Sequence, residues 1–218
     1  MSSTAVRRHT SIEVDRLIRW SGLTLVLAGI LSGLFPFAHP NHDPEGFRSG
    51  MWIPAHLMPN IAAILALFGL TGLFVRQLQA AGLLGVVAFV ASIIGTASFV
   101  SGLMIEAFMI PYISLAFPEL ALDDTPPPGI AEAFLIVRML FMLGFLLVGA
   151  AVIRARALPR AIGALLIIAT LVNTFGDIIL GETAFYLGSV MFGFALGWLG
   201  VALWSEPRRG ADSPPLPR

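Results

Sequence analysis

The chain contains no cysteine and no lysine. Without cysteine there are no disulfides, no thiolate metal ligands and no thiol nucleophile. Without lysine there is no side-chain amine for a Schiff base, which excludes Schiff-base enzymes and retinal-type pigments. Charge of either sign is also scarce. Only 12% of the 218 residues are charged against 57% hydrophobic, and mean hydropathy is +0.87. A soluble domain of this length needs charge over most of its surface, so the composition belongs to the membrane class.

What the sequence does have is long apolar runs. Runs of about 20 residues, enough to cross about 30 Å of hydrocarbon, lie near 17–37, 53–75, 82–110, 131–153, 161–180 and 184–204. In lipid every backbone polar group needs an internal partner, and the runs are too long for barrel strands. The expectation is an all-α, polytopic integral membrane protein with six transmembrane helices. Residues 1–16 read as a polar tail, 17–204 as the bundle, and 205–218, ending "EPRRGADSPPLPR", as a disordered tail. The first run follows a basic segment in the manner of a signal peptide. It ends in Pro36-Phe37-Ala38 with no small-x-small cleavage pattern, so it reads as a retained span.

All 13 basic residues are arginine, and their placement gives a direction. Arg7, Arg8, Arg16 and Arg19 precede the first run, and Arg76 follows the second. Arg154, Arg156 and Arg160 lie between the fourth and fifth, and Arg208, Arg209 and Arg218 close the chain. The alternate loops hold only Arg48, with Asp43, Glu45, Glu119, Asp123, Asp124 and Glu182. The positive-inside rule then puts both termini in the cytoplasm of a bacterial-type plasma membrane. Runs two, four and six close on similar glycine-rich segments, which composition alone explains without duplication. Gly29-x-x-x-Gly33 and Gly193-x-x-x-Gly197 permit close backbone approach, read as packing within one bundle.

Ionisable residues inside spans are costly and default to functional candidates. Here they share one depth, towards the arginine-poor side. His56 and Asn60 lie one helical turn apart, as do Asn173 and Asp177. Glu106 follows Ser98 and Ser101, and Glu132 stands about two turns from Arg138. Arg138 cannot lose its proton, so it needs a carboxylate, carbonyls or water, and Glu106 and Asp177 match its depth. An acid left without a cation would be desolvated towards the range useful for proton transfer. Glu106, Asp177 and His56 are thus the candidate catalytic groups. Arg138, Asn60, Asn173 and Glu132 are the candidate ligand-binding groups.

The stretch "AHPNHDPEGFRSGMWIPAH" gathers His39, His42 and His56. These could supply three imidazoles to zinc, with Asp43, Glu45 or Glu106 adding a carboxylate. Against this, "HPNHDPEG" has the composition of a solvated turn, which is the preferred reading. Haem is disfavoured because only His56 stands securely on a helix. No cofactor is therefore expected. The expected partners are membrane lipid and a lipid-like ligand, not nucleic acid, and the oligomeric state stays open.

Three functions fit. The first is an outward-facing pocket that binds or processes a small amphipathic molecule by acid/base chemistry. The second is an accessory subunit whose polar layer only locks the bundle. The third is a small transporter, disfavoured because the arginine-side halves of the spans are apolar.

Overall fold

The computed structural model describes residues 3–117, 129–176, 180–181 and 183–205. Asp177, much of the acidic connection after the third run, and the tail from 206 onward lie outside these residues. The described residues are helical and contain no strand.

Six long helices and one short one follow in order: α1 (Ser3–Ala38), α2 (Pro44–Arg48), α3 (Trp52–Ala81), α4 (Leu83–Ala116), α5 (Ile130–Ala155), α6 (Arg160–Phe175) and α7 (Thr183–Trp204). Three helices overrun the apolar counts. α1 begins in the polar N-terminal segment, α3 continues through Arg76 and Gln77 to Ala81, and α4 carries Pro111 within it and continues to Ala116. Hydropathy marks only the apolar part of a helix, which hid the polar extensions of α1 and α3, and Pro111 read as the end of α4. Gly82, at φ 60°, is the single residue between α3 and α4, a left-handed position that suits glycine in so tight a turn.

Five of these helices are long and apolar enough to cross a membrane: Glu13–Ala38 of α1, then α3, α4, α5 and α7. α6 is apolar but has 16 residues, a length of about 24 Å at the α-helical rise. That falls short of the hydrocarbon core unless the chain continues helically beyond it. Outward faces carry large apolar side chains such as Leu83, Phe37, Phe194, Phe68 and Ile136, all exposed. A belt of this kind fits lipid rather than water.

Each long helix packs on its neighbours in sequence, and α7 packs back on α1, so the six form a closed ring. One half of that ring is filled. Ile18, Leu25, Leu73, Val152, Ile162, Leu199 and Leu203 interlock as a single buried cluster at the end where Arg19, Arg76, Arg154 and Arg160 sit. There the Arg19 Nε donates to the Trp204 carbonyl at 3.2 Å, and its guanidinium lies over the Trp204 ring. The beginning and end of the bundle therefore meet at one face.

Closure depends on backbone contact between α1 and α7. A Cβ added at Gly29 would collide with the Gly193 carbonyl, and one added at Gly193 with the Gly29 carbonyl. Cβ atoms at Gly33 and Gly197 would meet open space. Only the first glycine of each spaced pair is thus sterically required. In full-length protein in detergent, Gly29→Ala and Gly193→Ala should each destabilise by about 1–3 kcal/mol. Gly33→Ala and Gly197→Ala should leave the thermal midpoint nearly unchanged, and equal effects at all four positions would refute this packing.

Candidate functional site

The half of the ring away from the arginines is hollow. A cavity of about 760 Å³ is walled by all six long helices, within the range of small-molecule sites. Its deep part is apolar. Ala62, Ala63 and Ala66 of α3 leave room on one side, and Phe99, Phe141, Phe145 and Phe192 form an aromatic floor on the other. Their ring centroids stand 4.5–4.9 Å apart along the series Phe99–Phe141–Phe145–Phe192. Pro59 sits in the wall as well, inside α3. The rim is polar: His39, Asn41, His42, Glu106, Arg138 and Asn173 all line it.

The histidine loop is ordered against α2, although much of it stays exposed. Asp43 caps α2, accepting a 2.7 Å hydrogen bond from the Gly46 N–H, with Pro44 and Glu45 in the first turn and Arg48 in the last. Gly46 is buried, and a Cβ there would collide with the Asn41 carbonyl, so the turn "HPNH" lies directly on α2. Phe47 is buried beside Trp52, with ring centroids 4.8 Å apart. The solvated-turn expectation holds for Asn41, His42, Pro44 and Glu45, which are exposed, but the composition of a turn does not reveal its seat on Gly46 and Phe47. Asp43 and Glu45 are engaged in building α2, while His39 and His42 face inward over α3.

His39, His42, His56 and Glu106 converge. One ligand atom from each lies within 4.8 Å of all the others. His39 Nε2 stands 3.2 Å from His56 Nε2, His42 Nε2 stands 3.4 Å from Glu106 Oε1, and His56 Nε2 stands 3.8 Å from the same oxygen. His56 is fully buried and held from behind. Its Nδ1 donates to the Trp52 carbonyl at 2.8 Å, and the Trp52 ring lies against its face at 4.2 Å. A carbonyl can only accept, so the proton of neutral His56 is on Nδ1 and the lone pair of Nε2 points into the cluster. Trp52 is fixed in turn by an Nε1 hydrogen bond to the Glu106 carbonyl. Burial, with His56 and His42 alongside, pushes the His39 imidazole down to about 4, so it is neutral at ordinary pH.

The other candidates fall in different places. Asn60 is buried and its Nδ2 donates to the Val100 carbonyl at 3.1 Å, tying α3 to α4 rather than reaching the cavity. The Glu132 carboxylate accepts from the Gly129 N–H at the start of its own helix. Asn173 does reach the cavity, and its Nδ2 donates to Ser189 Oγ across the α6–α7 contact. Arg138 lines the rim and is engaged there. Glu106, one of the two acids that match the depth of Arg138, has the imidazoles of His42 and His56 as partners. Asp177 is outside the described residues. Sequence reasoning missed Trp52, whose spacing of four residues from His56 on an amphipathic first turn was the available signal.

No protein family, curated protein or solved structure matches the chain.

The packing of "HPNH" on α2 can be tested chemically. In intact protein, diethyl pyrocarbonate should modify half-exposed His42 well before His39, and leave buried His56 untouched. Gly46→Ala should push the turn off α2 and bring His39 to a rate comparable with His42. Unchanged protection of His39 in that variant would show that the turn is held by other contacts.

Proposed function

We propose that this protein is an integral membrane protein that binds, and by acid/base chemistry processes, a small amphipathic molecule within its helix ring. The observation that carries the reading is the single cavity that joins an aromatic, apolar floor to a polar rim. An apolar body would lie against Phe141, Phe145 and Phe192, and a polar head would reach Arg138, Asn173 and Glu106. Such a division suits a lipid-like ligand, because the body loses water contact while the head keeps hydrogen-bond partners. Glu106 with its imidazole partners would move a proton at the head group, the combination general acid/base catalysis uses.

In this reading the apolar run 161–180 serves as the sixth span. Both termini lie on the cytoplasmic side, by the arginine asymmetry, and the cavity faces outward. The filled, apolar half at the arginine end supports a site with one entrance over a carrier. An accessory subunit that only locks its bundle has no use for a hollow of this size.

Native mass spectrometry of gently released protein should show one small organic molecule retained. Gly102 lines the cavity, and a Cβ there meets only ordinary contacts, so Gly102→Leu should fit the fold and fill the space. That variant should lose the molecule, and Arg138→Ala should weaken its retention by roughly tenfold or more, as loss of a charged hydrogen bond does. A bare wild-type chain, or equal retention by Gly102→Leu, would sink the reading. Because the chain lacks cysteine, single cysteines at Ser49 and Ser205 also report orientation. In intact cells, an impermeant maleimide should label the first and spare the second.

A further inference from the structure

The same four side chains carry a second conclusion that stands whether or not the cavity holds an amphiphile. We propose that His39, His42, His56 and Glu106 form a binding site for one divalent transition-metal ion, of which zinc fits the donor set best.

The first argument is geometric. Four ligand atoms at about 2.0–2.1 Å from a tetrahedral ion stand about 3.3–3.4 Å from one another. The closest contacts in the cluster are 3.2, 3.4 and 3.8 Å, with every pair inside 4.8 Å. Drawing these atoms onto one ion therefore takes shifts of about 1 Å or less at side-chain tips, with no change in the helices.

The second argument is the direction of the lone pairs. His56 Nε2 presents one into the cluster, because Nδ1 has given its proton to the Trp52 carbonyl. His39 Nε2 faces it at 3.2 Å, a contact that needs a hydrogen or a cation between the rings. A cation among the nitrogens could take the place of that hydrogen, and the nearby Glu106 carboxylate supplies matching negative charge.

The third argument is the surrounding shell. Metal-bound histidine characteristically donates its other N–H to a carbonyl or carboxylate, as His56 does here. Trp52 holds the His56 ring by its face and the Glu106 backbone by its indole, so two ligands from different helices share one support. Phe35 and Phe47 stand edge-on to His39 and His42 and dry the back of the site. Imidazole with carboxylate and no thiolate favours zinc among first-row ions, and four donors suit its tetrahedral preference.

Three of the four ligands also line the cavity. An ion held by all four side chains has no open position, so it would act at the cavity rim through its charge, which favours an anionic carboxylate or phosphate head group. This narrows the amphiphile proposed above to one with an oxygen-rich head.

The test uses full-length protein purified without a polyhistidine tag, stripped with chelator and reloaded with zinc or cobalt. Elemental analysis should find about one ion per chain, and the cobalt form should show the intense visible bands of four-coordinate geometry. His42→Ala lies on the loop and Glu106→Gln keeps the side-chain shape, so both should fold. Each should weaken affinity by roughly tenfold or more, and the double variant should bind no ion. Arg48→Ala, on the far end of α2, should bind as the wild type does. Absence of stoichiometric metal in the reloaded wild type would overturn the site. So would unchanged affinity in the double variant, which would place the ion elsewhere. Native mass spectra of the same samples separate the two proposals. Retained amphiphile on a chain that takes up no metal overturns only the metal site. Stoichiometric metal on a chain without amphiphile supports the metal site and removes the pocket reading.

Discussion

Contact between the backbones of α1 and α7 at Gly29 and Gly193 is what gives this molecule an inside. The other helix neighbours follow from the chain, because each is joined to the next by a short connection or packs on it directly. The first and last helices have no such tether. They meet because neither carries a side chain at the crossing, and in lipid such close approach replaces the hydrophobic force that drives association in water. With the ring closed, the volume enclosed by six helices exceeds what their small inner residues fill at one end. The hollow is the geometric remainder.

The distribution of polar groups obeys the same economy of partners. Some polar groups in the described helices are satisfied locally: Ser92, Thr170 and half-buried Thr71 donate to carbonyls of their own helices, while the hydroxyls of Thr96 and Ser114 meet no partner among the described residues. Asn60 spends its amide on a neighbouring helix. The imidazoles and Glu106 meet one another, with the His56 Nδ1 alone turned to the Trp52 carbonyl, where the loop after α1 folds over the ends of α3 and α4. Groups that could each have been neutralised separately are concentrated in one place, and concentration of that kind makes a site rather than a set of buried side chains.

The helical membrane class was legible from composition and run length, because lipid imposes those two properties on any spanning chain. The gathering of polar groups at one depth was also legible, since depth follows from position along a helix. Rotation about the helix axis and loop packing were not. Depth set Glu106 and Asp177 alike beside Arg138, and the azimuth of α4 turns the Glu106 carboxylate to His42 and His56. The sequence "HPNHDPEG" has the composition of a water-exposed turn, and much of it is exposed, while Gly46 against Asn41 and Phe47 on Trp52 seat it on the helix ends. Asn60 and Glu132 looked like site residues by type, but each meets a nearer structural need, a neighbouring carbonyl or a helix start. Local pattern identifies which residues must find partners in lipid, and only tertiary packing decides which partners they find.

Chain order adds a consequence for how the protein is made. The four converging side chains all come from residues 39 to 106, supplied by the loop after α1 and by α3 and α4. The cavity also needs Phe185, Tyr186, Ser189, Phe192 and Leu196, all from the last helix. A ribosome therefore completes the polar cluster's residues when only about half of the polypeptide has been translated, before α5, α6 and α7, three of the chamber's six walls, exist. Synthesis of the final helix then shuts a door rather than building a room.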